Sequence, residues 1–289
     1  MHEFVEGIYE KVRTLAIDHV VERLEPQLTA EFSQVDLAEA PDVLARHVAD
    51  AVRRVVTNET DIGQRVALVN ELLQLLSEPD EQLPGTIEQL VVMANRLNPD
   101  SRRLTRPVTP LSQAALLTNA VDEPSLSAEL RAELASADRV DLLCAFIRWH
   151  GLRVLEDPLT ELRARGVPLR VLTTTYVGAT ERRAIDELVQ RFGAEVRINY
   201  ETQSTRLHAK AWLFRRNSGY DTAFVGSSNL SRSALVDGLE WNIRLSGVAT
   251  PDLIRKFAAT FDTYWESSAF LRYDPVTDAD TLDDALALA

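Results

Sequence analysis

The sequence predicts an α/β protein in which a mixed β-sheet flanked by helices follows an all-helical amino-terminal segment. Helical spacing of apolar residues dominates the first hundred residues, whereas short β-branched runs alternate with helical stretches from residue 139 onward. Hydrophobic residues make up 45% of the chain and charged residues 26%, which is typical of a globular protein and excludes wholesale disorder.

The amino-terminal part is predicted to form amphipathic helices. Apolar residues recur at helical spacing over residues 8–24, 42–56 and 66–76. A loop rich in Pro, Arg and Thr follows at residues 98–110. We therefore assign residues 1–115 to the helical amino-terminal segment. Its role stays open between a partner-binding platform, a lid and a stabilising cap.

The second part is predicted to be a domain of parallel strands extended by further strands. Because β-α-β-α-β alternation implies right-handed crossovers, the first three strands should be parallel. The predicted domain covers residues 116–270, and the acidic segment after it, 271–289, is predicted to be a tail or linker. The strands are expected at 139–147, 167–176, 194–199, 207–214, 222–226 and 239–246, and the helices at 152–165, 180–192 and 252–265.

Composition limits the classes of function. The net charge is −13, which argues against binding nucleic acid or anionic membrane through bulk charge. No apolar run reaches the length of about 20 residues that spans a bilayer, and the first ten residues do not resemble a secretory signal. The single cysteine, Cys144, cannot form an internal disulfide. We therefore expect a cytoplasmic protein without membrane contact.

One motif carries the chemistry. Residues 207–214 alternate with period two, which places His208 and Lys210 on the same face of a strand and sets an imidazole beside an ammonium. The strand 222–225 then leads into a glycine, two hydroxyls and an amide, which can donate to phosphate oxygens. These are Gly226, Ser227, Ser228 and Asn229, and Glu240 follows eleven residues after the asparagine.

On these residues the sequence resembles the phospholipase D superfamily, whose signature is H-x-K followed by G-S-x-N. The resemblance covers roughly residues 120–270. Arg215 stands where many members carry an acid, but Glu240 matches the spacing of the glutamate in the nuclease branch. The helical front and the runs RLHAKAWLF, GSSNLS and GLEWN also resemble the amino-terminal region attached to bacterial superfamily-2 helicases. No G-x-x-x-x-G-K-[ST] loop accompanies them here.

The resemblance implies a metal-independent phosphodiesterase without cofactor. His208 would attack phosphorus and form a phosphohistidine, while Lys210, Ser227 and Asn229 stabilise the charged oxygens. Glu240 would accept a hydrogen bond from the second ring nitrogen of His208. Gly226 and Ser228 complete the predicted substrate-binding loop. Because the chain has one H-x-K, the resemblance implies a homodimer that shares one site between two histidines.

The leading interpretation is therefore a nuclease that acts on DNA, with RNA as an open alternative and a helicase module, fused or separate, as a further partner. A lipid phosphodiesterase or phosphatidyl transferase is one alternative, and a catalytically degenerate dimerisation or DNA-docking module is another.

Individual residues keep structural alternatives. Glu240 could pair with Arg244, and Ser228 could be a turn residue. Arg216, with its neighbour Arg215, could form a solvated pair or meet a nucleic-acid backbone. His150 could start a helix or border the site, and Cys144 is expected to be buried.

Overall fold

The computed structural model describes residues 12–24, 30–38, 40–85, 88–91, 106–120, 123–201, 207–238 and 240–289. The chain divides into two compact units, residues 1–93 and 94–289. Each unit is described by itself. No helix in the described ranges is both long and apolar enough to cross a membrane.

The first unit is helical, as predicted. It contains α1 (Leu15–Leu24), α2 (Ala40–Asn58) and α3 (Ile62–Leu75), followed by one 3₁₀ turn. Asp61 caps α3 by accepting a hydrogen bond from the backbone N–H of Gln64 at 2.8 Å. The side chain of Asn70 accepts from the N–H of Leu83 and donates to its carbonyl, which ties the following segment back to α3. The predicted helical positions before residue 12 lie outside the described residues.

The second unit contains one eight-stranded mixed sheet in the order β1-β7-β6-β5-β2-β3-β4-β8. Strands β2, β3 and β4 are parallel, and every other pairing is antiparallel. The predicted parallel core is therefore confirmed. The strands are β1 (Ala115–Leu117), β2 (Arg139–Cys144), β3 (Leu169–Thr174), β4 (Glu195–Asn199), β5 (Lys210–Arg215), β6 (Thr222–Gly226), β7 (Asn242–Ser246) and β8 (Leu271–Arg272).

Helices cover both faces of the sheet. The period-two alternation of β5 separates the two cores: Trp212 and Phe214 join the main cluster, while Leu213 packs with Ile254 of α8 on the other side. The remaining helices of this unit contribute to the main cluster. The helices are α4 (Leu126–Ser136), α5 (Trp149–Val154), α6 (Glu156–Ala164), α7 (Arg182–Gln190), α8 (Pro251–Glu266) and α9 (Ala279–Leu288).

The carboxyl-terminal segment differs from the sequence-based expectation of a solvated tail or linker. Residues 271–272 form β8 against β4, and α9 buries Leu282 completely in the main core. The five aspartates of this segment suggested a solvated tail, and the amphipathic helix was not predicted, because acidic composition alone does not show which face of a helix is apolar.

Helix α9 also packs against the turn after β3. Val177 in this turn has φ of 64°, an unfavourable conformation for a β-branched residue, and Gly178 has φ of 59°. A Cβ on Gly178 would lie 2.7 Å from the carbonyl oxygen of Leu286 in α9. The close approach of the helix therefore requires glycine at this position.

A buried ionic cluster joins α4 to the sheet. The Glu133 carboxylate, fully buried, accepts hydrogen bonds from Arg216, from Nε and Nη2 of Arg244 at 3.0 and 2.8 Å, and from Thr222 at 2.7 Å. Arg216 is thus a buried structural residue, and the expectation of a solvated or nucleic-acid-contacting side chain is wrong for it. The pairing of Glu240 with Arg244 is likewise excluded, because Arg244 binds Glu133.

Arg215 lies at the opposite end of β5 from Lys210. Its guanidinium is 3.8 Å from a carboxylate oxygen of Asp141 and 3.8 Å from one of Asp262. Arg139 and Arg170 bind the same two carboxylates. Burial raises the pKa of Asp141 to about 6, and the surrounding arginines oppose that rise. Arg215 therefore belongs to an ionic cluster at the far end of the strand.

Candidate active site

His208 and Lys210 meet at the start of β5. Lys210 opens the strand and is buried, whereas His208 stands just before it and is exposed. The ammonium Nζ of Lys210 lies 3.0 Å from each ring nitrogen of His208 and donates to its backbone carbonyl at 2.9 Å. Because an ammonium can only donate, it hydrogen-bonds to whichever ring nitrogen is the acceptor in the tautomer present.

The environment of Lys210 combines burial with nearby acids. Burial lowers the pKa of Lys210, while Cys144 and Glu240 act in the opposite direction. Glu240 is thus close enough to influence the ammonium. A partly desolvated cation of this kind interacts more strongly with a phosphate than a fully hydrated one does.

Phe146 forms one wall of the site. Its ring packs edge-on against the ring of His208, with the centroids 5.6 Å apart and an interplanar angle of 71°. The Nζ of Lys210 lies 5.6 Å from the same ring centroid. Phe146 follows β2 at the carboxyl end of a parallel strand, where α/β sheets place ligand sites.

The end of β6 approaches β7 so closely that only glycine fits at position 226. A Cβ there would collide with Oδ1 of Asn242 and the carbonyl oxygen of Trp241. The N–H of Ser227 then donates to that carbonyl at 3.1 Å. In the structure, therefore, β7 and the residue before it are the groups that approach Gly226 closely. The side chain of Ser227 stays exposed beside the site.

Ser228 and Asn229 continue this loop in different environments. Ser228 is buried, and its hydroxyl accepts a hydrogen bond from the side-chain amide of Asn242 at 2.8 Å. Asn229 is half-buried, and its Oδ1 is enclosed without a hydrogen-bond partner in the described part of the chain. An unpaired buried acceptor of this kind is uncommon and marks a position where a bound group can complete the network.

Glu240 contacts Ser227 rather than His208. The hydroxyl of Ser227 donates to the Glu240 carboxylate and accepts from the N–H of Trp241 at 3.2 Å. Within the described residues no hydrogen bond joins Glu240 to His208. The predicted bond from the histidine ring is therefore not present, and Glu240 reaches the site through Ser227 and through its charge on Lys210.

A cavity of about 160 Å³ adjoins these residues. Phe146 and Asn229 link it to the motif. It is lined by Phe146, Arg148, Ala179, Asn229, Ser231 and Ser233. Of these, Arg148, Ser231 and Ser233 have no place in the sequence motif. The sequence feature that could have identified them as site residues is their position just after β2 and β6, because strand ends gather at one edge of the sheet. His150 is exposed in the first turn of α5 and does not line the cavity.

Comparison with known proteins agrees with this architecture. The family described as cardiolipin synthase, PLD-like domain, matches residues 130–265. Residues 130–265 are therefore similar to a phospholipase-D-like domain. All the predicted catalytic and substrate-binding residues of the chain lie within this range. No curated protein matches the chain.

Several solved structures are similar to part of the chain. NucT from Helicobacter pylori is 13% identical, covers 56% of this chain and 99% of its own, and has a TM-score of 0.43. Nuc from Salmonella typhimurium, a phospholipase D family member, is 16% identical with the same coverages and TM-score. Phosphatidylserine synthase from Haemophilus influenzae is 9% identical, covers 61% of this chain and 44% of its own, and has a TM-score of 0.43.

Proposed function

We propose that the phospholipase-D-like domain is a metal-independent phosphodiesterase that cleaves DNA through a covalent phosphohistidine on His208. The observation that carries this proposal is the contact between His208 and Lys210, with Nζ 3.0 Å from the ring nitrogens, at an exposed edge of the domain. The contact leaves the imidazole accessible to a polymeric substrate and holds a cation where the phosphate must bind.

In the proposed first step, an unprotonated ring nitrogen of His208 attacks phosphorus. A bond between nitrogen and phosphorus forms, and the bond from phosphorus to the leaving oxygen breaks. The leaving oxygen takes a proton from a protonated His208 of a second copy of the chain. Water then attacks the phosphohistidine, its proton passes to that second histidine, and the first His208 is released as a neutral imidazole.

The other residues of the site stabilise charge. Lys210 donates to the non-bridging phosphate oxygens, and the side-chain amide of Asn229 supplies a neutral donor. The Ser227 hydroxyl donates to Glu240 in the structure, so it would turn from that carboxylate to the phosphate when substrate binds. We assign Glu240 a positioning role, because its carboxylate holds the Ser227 hydroxyl. Gly226 permits the close strand crossing that presents this loop, and Ser228 anchors it to Asn242.

We propose a homodimer because each chain supplies one such histidine. An exposed apolar surface adjoins the site, and we call it the β6–β7 surface. Leu116 and Val225 lie on either side of Ile243 across three neighbouring strands, and Trp241, which is 64% exposed, continues the row. Contiguous exposed apolar residues beside a site are typical of an interface. A second copy bound there would lie next to Ser227.

The test uses labelled single- and double-stranded DNA and RNA, each with and without chelator. We expect His208→Ala to lower the rate by about 10³-fold or more, because the nucleophile is lost. His150→Ala is the matched control, since His150 is exposed and outside the cavity. Mass analysis of the reaction quenched in alkali, where the N–P bond survives, would detect phosphohistidine only in proteins that retain His208. Undiminished cleavage by His208→Ala in chelator would refute the proposal.

The second candidate is phosphatidyl transfer, which the description of the matched family favours. Vesicles containing phosphatidylglycerol, incubated beside the DNA substrates, separate the two activities. A helicase partner remains a hypothesis from the sequence resemblance alone. If no phosphohistidine forms on either substrate class, the domain serves as a docking module instead.

A further inference from the structure

We infer that the cavity beside His208 binds the nucleotide next to the scissile phosphate, with Arg148 pairing with that nucleotide's phosphate. This inference rests on the proposed function and adds a requirement to it. The enzyme would act on chains of phosphodiesters in preference to compounds with a single one.

The backbone brings the lining residues to one side of the domain. Ile147 and Leu230 form a parallel bridge, in which the N–H of Arg148 donates to the Leu230 carbonyl at 2.9 Å and the N–H of Leu230 donates to the Phe146 carbonyl at 3.2 Å. The N–H of Ser231 donates to the Asn229 carbonyl at 2.8 Å, which closes residues 229–231 into a tight turn. The residues that flank the bridge, Phe146 and Arg148 on one segment and Asn229 and Ser231 on the other, line the same cavity.

Arg148 differs from three arginines of the central strands. Arg139, Arg170 and Arg215 are paired with buried or half-exposed aspartates. The guanidinium of Arg148 is exposed, and no hydrogen bond or ion pair joins it to a described residue. In a chain of net charge −13, an unneutralised guanidinium at the cavity wall is a local site for an anion.

Neutral donors complete the chemistry of the cavity. The hydroxyls of Ser231 and Ser233 lie 3.3 Å apart, and that of Ser231 accepts from the N–H of Ala234 at 3.3 Å. Because one hydroxyl of this pair donates to the other, the accepting hydroxyl keeps its hydrogen for a phosphate oxygen. Oδ1 of Asn229 is buried without a partner in the described part of the chain, and as an acceptor it would take a hydrogen bond from a donor on the nucleotide, such as a base amino group.

The cavity is one side chain away from the reacting histidine. Phe146 packs against the His208 ring on one side and lines the cavity on the other. A nucleic-acid strand bound with one phosphate at His208 and Lys210 presents its next phosphate beside the first. A compound with one phosphodiester leaves the cavity empty, so Arg148 would contribute mainly to polymeric substrates.

The first measurement compares kcat/KM for a twelve-nucleotide single-stranded DNA with kcat/KM for bis(p-nitrophenyl) phosphate. We expect Arg148→Ala to lower kcat/KM on the oligonucleotide by about 10- to 100-fold, which corresponds to a charge-assisted contact of about 1.5–3 kcal/mol. The loss on the single diester should be at least tenfold smaller. Arg153→Ala is the matched control, because Arg153 is an exposed arginine of α5, the helix that begins directly after Arg148, and it does not line the cavity. Equal losses on both substrates would overturn the inference.

The second measurement does not depend on catalysis. In protein carrying His208→Ala, fluorescence anisotropy gives the Kd of the labelled oligonucleotide over a range of salt concentrations. Adding Arg148→Ala should weaken binding and reduce the slope of log Kd against log salt by about 0.7, the value for one phosphate contact on a single strand. An unchanged Kd and slope would overturn the inference. If the native chain cleaves neither substrate, the proposed function fails, while the slope still decides whether the cavity binds a phosphate.

Discussion

Replacement of Glu133 by glutamine tests the buried ionic cluster that joins α4 to β5, β6 and β7. The carboxylate is fully buried and accepts hydrogen bonds from both Arg216 and Arg244 as well as from Thr222. Glutamine keeps the size of the side chain, but it removes the negative charge and turns one oxygen into a donor. Two buried guanidinium groups would then share a region without their counter-charge.

The expected loss follows from that geometry. Removing one partner from a buried ion pair costs about 3–5 kcal/mol, because an uncompensated charge remains inside the protein. For a domain of this size, each kcal/mol shifts Tm by about 2–4 °C, so we expect Tm to fall by about 6–20 °C. Surface pairs contribute much less, since water screens them.

Urea unfolding followed by tryptophan fluorescence measures this loss. All four tryptophans of the chain, at positions 149, 212, 241 and 265, belong to the second unit, so the signal reports that unit alone. Glu161→Gln is the matched control, because Glu161 is exposed on α6 and its replacement should change the free energy of unfolding by less than about 0.5 kcal/mol. A loss below about 1 kcal/mol for Glu133→Gln would refute the reasoning.

Two further predictions concern the β6–β7 surface and the buried thiol. Trp241→Asp should give a folded protein that sediments as a monomer and cleaves DNA only slowly, because the interface is lost. Val276→Asp, at a position 84% exposed, is the control and should change neither the oligomeric state nor the cleavage rate. A dimeric, active Trp241→Asp would contradict the proposed interface. Burial raises the pKa of the Cys144 thiol to about 11, so it should not react with a disulfide reagent at pH 8 until urea unfolds the chain, and rapid native reaction would contradict this. The ordinary pKa of a cysteine thiol is 9.0, so the buried thiol of Cys144 should contribute its full stabilisation of the folded state below pH 9. That contribution should be lost as the pH rises towards 11.

The parallel centre of the sheet was predictable because its strands are buried on both faces. β2 belongs to a short, largely apolar run and β3 combines apolar with β-branched residues, and both compositions are typical of strands covered by helices on either side. β6 was predicted with its observed limits, since polar residues precede Thr222 and the motif glycine ends the strand. Helix α4 could not be recognised in the same way, because its buried Glu129 and Glu133 interrupt the apolar pattern.

The centre of the candidate site was also accessible from the sequence, and its surroundings were not. The i, i+2 spacing of His208 and Lys210 was enough to predict that they share a face. The partner of Glu240 depends on how tightly β6 and β7 cross, which the eleven-residue spacing does not specify. Arg148 was not predicted as a site residue, because it is placed there by the bridge between Ile147 and Leu230, a tertiary contact between residues far apart in the chain.

The packing of α9 against the turn at Gly178 has a practical consequence for the preparation of this protein. A Cβ on that glycine would lie 4.0 Å from the carbonyl carbon of Ala289, and Ala179, the next residue, lines the cavity. A bulky or charged group attached at Ala289 would therefore lie next to the mouth proposed to receive a nucleotide, where it would compete with substrate.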